Sequence, residues 1–327
     1  MSIIDRFSSV LWAMPAADVR LLLSIASRSR DERAAARAGE GETWQRRDYD
    51  LMAGPGAQKL AGAQRAYVVD GVAVLPVTGP IFPRANLMTD MSGATSVAVL
   101  LNDYRVALAA RDVVATMLVI DSPGGAVSGI ASFVDAVRAG NKPTTAFVSG
   151  TAASAGYWIA CACSEIVIER TAMVGSIGVV AVVGKQVAPD RDGEIAVEIV
   201  SSNAPNKRPD LTTEDGAGIV RATLDQLETQ FLGDVARGRG VTTAKVRADF
   251  GQGGVKVGAA AVAAGMADRV GDLAMAIRSA RNRGRMQFLQ RPSAIGRLRL
   301  VGGSEPRLQT GDFQEAANRR RLRALHR

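Results

Sequence analysis

Between Val72 and Ile168 the chain alternates strand-length apolar runs with segments of helical periodicity, and few folds accept that pattern. Val72-Ala73-Val74-Leu75-Pro76-Val77 is ended by Gly79-Pro80. Residues 96–110 then read as a helix with an apolar face at Val97, Leu100, Leu101, Tyr104 and Leu108. Val113–Ile120 is a second strand, apolar as expected when both faces are covered. A helix over 127–139, with Ile130, Phe133, Val134 and Val137 at helical spacing, leads to a third strand at Thr145–Val148. A helix over 152–163 and a strand at Ile166–Ile168 complete the series. Strands joined by helical crossovers predict an α/β fold with a mostly parallel sheet flanked by helices.

The rest of the chain is placed around this body. Residues 1–30 read as an amphipathic helical segment and 31–66 as a flexible charged linker. The main domain is expected over 67–282, and 283–327 is expected to be a basic, disordered tail. Within the domain, further strands are expected at 179–183 and Ile195–Val200, with a polar loop at 201–212. Helices are expected at 213–237, 242–249, 257–265 and 272–282. The N-terminal apolar stretch is broken by Asp18 and Arg20, so neither a signal peptide nor a transmembrane span is expected. That points to a cytoplasmic location.

Composition is that of a globular protein, with 47% apolar and 22% charged residues. The net charge of +8 is concentrated at the end, where Arg278–Arg327 holds thirteen arginines against Glu305, Asp312 and Glu315. Such a tail suits solvent, an acidic protein partner or nucleic acid. Cys161 and Cys163 stand too close in sequence for an easy disulfide and lack the second half of a zinc site, so they read as small buried hydrophobes.

The chemistry is constrained by a scarcity. The single histidine is His326, next to the last residue, so the body holds no Ser-His-Asp triad. Yet two segments resemble parts of an acyl-transfer site. Asp121-Ser122-Pro123-Gly124-Gly125 ends a buried strand in a glycine turn, at the sheet edge where α/β proteins place ligands. Glycine there lets a backbone N–H come close to a developing oxyanion. Ala153-Ser154-Ala155-Gly156-Tyr157-Trp158 sets a serine at the head of a helix, among residues small enough to admit a substrate backbone. An N-cap serine and an ordinary strand-to-helix turn are the plain readings of these segments. A nucleophilic serine needs a base. Without histidine this must be a carboxylate or one of six lysines: Lys59, Lys142, Lys185, Lys207, Lys245 and Lys256. A lysine serves only if desolvation or nearby positive charge lowers its pKa from about 10.4 to roughly 7–8. The residues alone do not choose among them.

These two segments, with Gly175-Ser176-Ile177-Gly178-Val179, resemble in order and spacing the signal peptide peptidase A family of serine peptidases, from about Val72 to Ala280. The resemblance implies a Clp-protease/crotonase-like fold. It implies Ser154 as nucleophile and Lys207, 53 residues later and before a long helix, as base. Ser176 would orient the lysine amine, and the backbone N–H groups of Gly124, Gly125 and Ala155 would hold the oxyanion. Ala264-Gly265-Met266-Ala267-Asp268 resembles the closing turn of that family. No metal or cofactor is implied.

Lacking the anchor of the cellular enzymes, the chain looks more like the phage branch, the minor capsid protein C-like head proteases. The expected substrates and partners are therefore capsid, scaffold or portal proteins, in host cytoplasm or procapsid. The family forms rings or domes, which implies a homo-oligomer whose contacts close the cleft. The small residues around Ser154 predict a narrow pocket for small or medium apolar side chains. The alternatives are a soluble peptidase degrading signal peptides, a crotonase-type acyl-CoA enzyme, and a capsid-associated structural protein without catalysis.

Overall fold

The computed structural model describes residues 12–13, 56–85, 94–182 and 199–290. One compact unit spans Met1–Gln287 and a second Phe288–Arg327; both sheets belong to the first. The elements run β1 (Trp12–Ala13), β2 (Gln58–Lys59), β3 (Tyr67–Val69), β4 (Val72–Thr78), β5 (Ile81–Phe82), β6 (Thr95–Ser96) and α1 (Val97–Ala109). Then come β7 (Ala115–Ser122), β8 (Gly125–Ala126), α2 (Ile130–Arg138), β9 (Thr144–Ala153), α3 (Ala155–Ala160), β10 (Glu165–Ile168) and β11 (Met173–Gly175). After a short 3₁₀ turn at Pro205–Lys207 follow α4 (Glu214–Arg239), α5 (Thr243–Asp249), β12 (Val255–Val257), α6 (Gly258–Ala263), β13 (Arg269–Val270) and α7 (Leu273–Leu289).

The expected mixed α/β architecture is present. The larger sheet runs β12-β11-β9-β7-β4-β3-β2, and its centre, β11, β9, β7 and β4, is parallel throughout. Long β9 carries two neighbours on one edge: β10 along Thr145–Val148 and β11 along Thr151–Ala153. Alternation along the strands feeds two cores. Ala73, Leu75, Leu118, Ile120, Ala146 and Val148 face one way, against α1, α2 and α3. Val72, Val74, Met117, Val119 and Phe147 face the other way, against Ala276, Ile277 and Ala280 of α7. That two-sided burial is why these strands are almost uniformly apolar. A smaller sheet, β1-β8-β5-β6, stands at the carboxyl end of the central strands.

Several boundaries differ from the sequence expectations. Residues 56–66 of the expected linker are structured: β2 pairs with β3, and Leu60 and Ala66 are buried. Asp103 explains this, because a carboxylate buried in α1 requires donors, and the backbone N–H groups of Gln64 and Arg65 supply them at 2.8 and 2.7 Å. At Trp12–Ala13 the chain is extended rather than helical, because the edge of β8 offers it backbone partners. Through residue 182 the strand expected at 179–183 is only an isolated bridge at Val180; Ser176 and Gly178, with φ of 53° and 152°, turn the chain out of the sheet. Ile199 and Val200 are not in a strand. The helix expected to stop at 282 continues to Leu289, because Arg283 is anchored on Glu165 and on the Thr145 hydroxyl. The remaining N-terminal, linker, strand and tail expectations, and Lys185, lie outside the described residues.

Candidate active site

Ser154 sits between the end of β9 and the first residue of α3, with φ 53° and ψ −116°. A non-glycine residue there is strained, at a cost of about 1–3 kcal/mol. The plain reading of an N-cap serine does not hold: the backbone is not extended and the hydroxyl makes no capping bond. Instead the Ser154 Oγ, almost fully buried, points at the Gly178 carbonyl 3.5 Å away. The Ser154 N–H donates to Gly175 O at 2.7 Å, which fixes the kink from the neighbouring strand.

The β9–β11 register, Ala153 beside Gly175, brings Ser176 next to Ser154 at the ends of adjacent parallel strands. Ser176 is half-buried, its φ is also 53°, and its N–H donates to Gly254 O at 2.7 Å. Two of the three segments singled out in the sequence thus converge on one point, each with a serine in the left-handed region. The third, the glycine turn, reaches the same place. Ser122 pairs with Ala152 on β9, and a Cβ added to Gly156 would lie 3.2 Å from Ser122 O.

The backbone donors differ in their present engagement. The Gly124 N–H, at φ 107°, donates to Ser122 Oγ at 3.1 Å, and that hydroxyl in turn donates to Gly79 O at 2.6 Å. Gly125 is pressed onto β5: a Cβ there would sit 2.0 Å from Ile81 O. Ala155 opens α3, whose first-turn N–H groups have no partner within the helix.

Lys207 ends the 3₁₀ turn and is exposed. In the single chain its ammonium makes no hydrogen bond to Ser154 among the described residues. Two other lysines are committed elsewhere: Lys142 Nζ donates to Ala107 O and Ala110 O at the end of α1, and Lys245 pairs with Asp249. Lys59 is exposed on β2, and Lys256 lies half-buried on edge strand β12, opposite Val174. The carboxylate of Glu228 on α4 approaches Gly178, with Oε1 3.8 Å from where a Cβ would stand. Among the described residues no group of His, Cys, Asp and Glu side chains converges as metal ligands would.

Four acidic residues with no assigned role in the sequence prove to build the frame. Asp121 accepts from the Thr151 N–H at 2.9 Å and fastens the bulge where β9 carries extra residues opposite Ile120–Ser122. Gly150 makes room for it, since a Cβ would lie 2.5 Å from Asp121 Oδ1. Asp234 of α4 accepts from Trp158 Nε1 at 2.8 Å and from Arg138 at 2.5 Å. Trp158 also stacks on Phe231 at 4.4 Å, so α3 is clamped to α4. Asp268 of the closing turn accepts from the Ile166 N–H at 2.6 Å and from Arg239 at 2.7 Å. Burial pushes its pKa up, but these bonds outweigh burial and hold the carboxyl below 3.8. At Glu165 burial is likewise outweighed, by Arg283 and Arg269. Both cysteines are buried and free, as expected of small hydrophobes; burial pushes the Cys161 thiol up to about 12 and raises that of Cys163 as well.

Residues 136–286 match Peptidase family S49, a span that contains Ser154, Ser176, Lys207 and Asp268 but begins after the glycine turn. The chain is 37% identical over 126 residues to the head-tail preconnector protein GP5 of Enterobacteria phage P21, covering 37% of this chain and 25% of that protein. It is 34% identical over 118 residues to the capsid assembly protease C of Escherichia phage lambda, covering 35% and 27%. Against Protease 4 of Haemophilus influenzae the identity is 27% over 226 residues, 65% of this chain and 35% of that protein. The chain thus spans about a quarter of the length of the two phage relatives. Over residues 136–286, a little under half of its length, the chain is thus similar to peptidase family S49, and this stretch holds both strained serines.

Proposed function

We propose that this protein is a serine endopeptidase whose nucleophile is Ser154 and whose base is Lys207. The observation that carries the reading is the backbone of Ser154. A buried serine is held in a strained kink by the Gly175 carbonyl, its hydroxyl is spared from capping, and a second serine with the same φ stands beside it. Strain of this kind persists only where surrounding structure enforces it, and it clusters at functional sites.

In the proposed reaction neutral Lys207, oriented by Ser176, takes the Ser154 proton as Oγ attacks a peptide carbonyl. Backbone N–H groups of the glycine turn and Ala155 hold the oxyanion. The protonated amine then gives its proton to the leaving amine, and later activates the water that releases the acyl group. Lys207 reaches the serine on assembly of several copies. Two features support this: the exposed turn that carries Lys207, and the first half of α4, where Gly216 alone is buried before Phe231. Likeness to relatives named for capsid assembly and the head-tail preconnector supports substrates among the proteins of an assembling phage head. The peptidase domain is taken as residues 67–282, extended by the ordered 56–66 and the end of α7.

Co-expression with candidate capsid and scaffold proteins tests the proposal. New protein termini, found by mass spectrometry with wild type and absent with Ser154→Ala and Lys207→Ala, are expected. Termini that persist in Ser154→Ala contradict it. No helix among the described residues is long and apolar enough to cross a membrane.

A further inference from the structure

Gly125 lies between two strands. On one side β5 runs parallel to it, with Ile81 as its partner and the Ile81 N–H donating to Gly124 O at 2.9 Å. On the other side β1 runs antiparallel, with Ala13 opposite Gly125 and Trp12 opposite Ala126. Backbone groups of successive strand residues face opposite edges. The Gly124 carbonyl faces β5, so the N–H and carbonyl of Gly125 face the other edge, where Ala13 lies. The donor expected to meet a substrate oxyanion is thus turned toward the chain's own N-terminal segment. An extended peptide lying along that edge beside Ser154 would need the place that residues 12–13 hold.

We propose that the outer edge of β8 is the docking edge for an extended peptide, and that Trp12–Ala13 is its resident occupant, an internal blocking strand that leaves when a substrate strand enters. The consequence for cleavage rests on the Ser154 peptidase reading; the occupancy does not. Strand addition at an edge draws affinity from main-chain bonds, so a short segment of the same chain competes well, being always at hand.

The test uses the full chain and Ala13→Pro, which removes the N–H that β8 would accept and disfavours pairing at that position. A fluorescent peptide of residues 8–17 is titrated by anisotropy against full-length Ser154→Ala, with and without Ala13→Pro, so binding is read without catalysis. Freeing the edge is expected to tighten peptide binding by about tenfold. Equal affinity overturns the proposal. Hydrogen exchange on the unmodified chain is a second reading that needs no variant. The Gly125 amide is expected to be protected, and exchange at the rate of an unstructured peptide overturns the proposal. If the peptide binds tighter as stated but Ser154 never cleaves, the peptidase reading fails and this one stands. If cleavage at Ser154 is seen but affinity is unchanged, the reverse holds.

Discussion

Gly125→Ala tests how closely the glycine turn must fit. The new Cβ would lie 2.0 Å from Ile81 O, 2.5 Å from Ile81 N and 2.6 Å from Ile81 C, all backbone atoms that no side-chain rotation can move aside. Relief requires β8 and β5 to separate by about 1 Å or more, since non-bonded contacts settle near 3.5 Å. Overpacking of this kind costs about 1–3 kcal/mol and lowers Tm by roughly 2–10 °C. The functional cost is expected to be larger than the stability cost. The turn is displaced relative to Ser154, and a misplacement of about 1 Å costs on the order of 10²-fold in rate. Labelling of Ser154 by a fluorophosphonate probe, followed by intact-mass spectrometry, measures the loss. Fluorescence of Trp158, stacked on Phe231, reports that the fold persists. Labelling within about threefold of wild type, with Tm unchanged, would refute the claim that close packing of the turn positions the site.

Asp234→Ala leaves Trp158 Nε1 without its acceptor and strips the mostly buried Arg138 of its carboxylate, leaving its Nη2 bond to the backbone carbonyl of residue 234, so a loss of about 2–4 kcal/mol by urea unfolding is expected. Asp234→Asn, which keeps an acceptor, should lose less. The folded-state pKa values of Asp268 and Glu165 are lowered from 3.8 and 4.5. Their stabilisation is therefore complete above those values and fades as pH falls through the folded ones; the urea midpoint should decline there, and less steeply in Asp268→Asn. Cys161 and Cys163 should resist a thiol-specific disulfide reagent in the native state and react once the chain is unfolded. Fast native labelling would contradict their burial.

The central strands and α1 to α4 were legible in the sequence because each carries its own period. Val113–Ile120 is apolar on both faces, and Ile130, Phe133, Val134 and Val137 line one stripe. The short strands were not. β8, β11, β12 and β13 are two or three residues each and owe their form to a neighbour's edge rather than to their own composition. Trp12–Ala13 is the extreme case, an extended pair within a helix-like pattern. At the site, the three segments were visible as motifs because glycine and small residues mark close approach. The strain at Ser154 and Ser176 was not, since φ is set by bonds to Gly175, at the end of β11, and to Gly254, in the turn before β12. The bonding roles of Asp121, Asp234 and Asp268 were not legible for the same reason. Each is an ordinary charged residue in sequence, and each acquires its role from a partner about 30 to 100 residues away. A motif-based signal existed only for Asp121, which leads into the glycine turn, and for Asp268 in the closing turn.

What the peptidase reading needs above all is a hydroxyl made reactive by an amine. The decisive measurement is the site and rate of fluorophosphonate capture in the assembled protein, comparing wild type with Lys207→Met and Ser154→Ala. The account predicts a single adduct on the peptide containing Ser154, with capture slowed by at least about 10²-fold in Lys207→Met and abolished in Ser154→Ala. Capture at another residue, or capture of Ser154 in Lys207→Met as fast as in wild type, would contradict it.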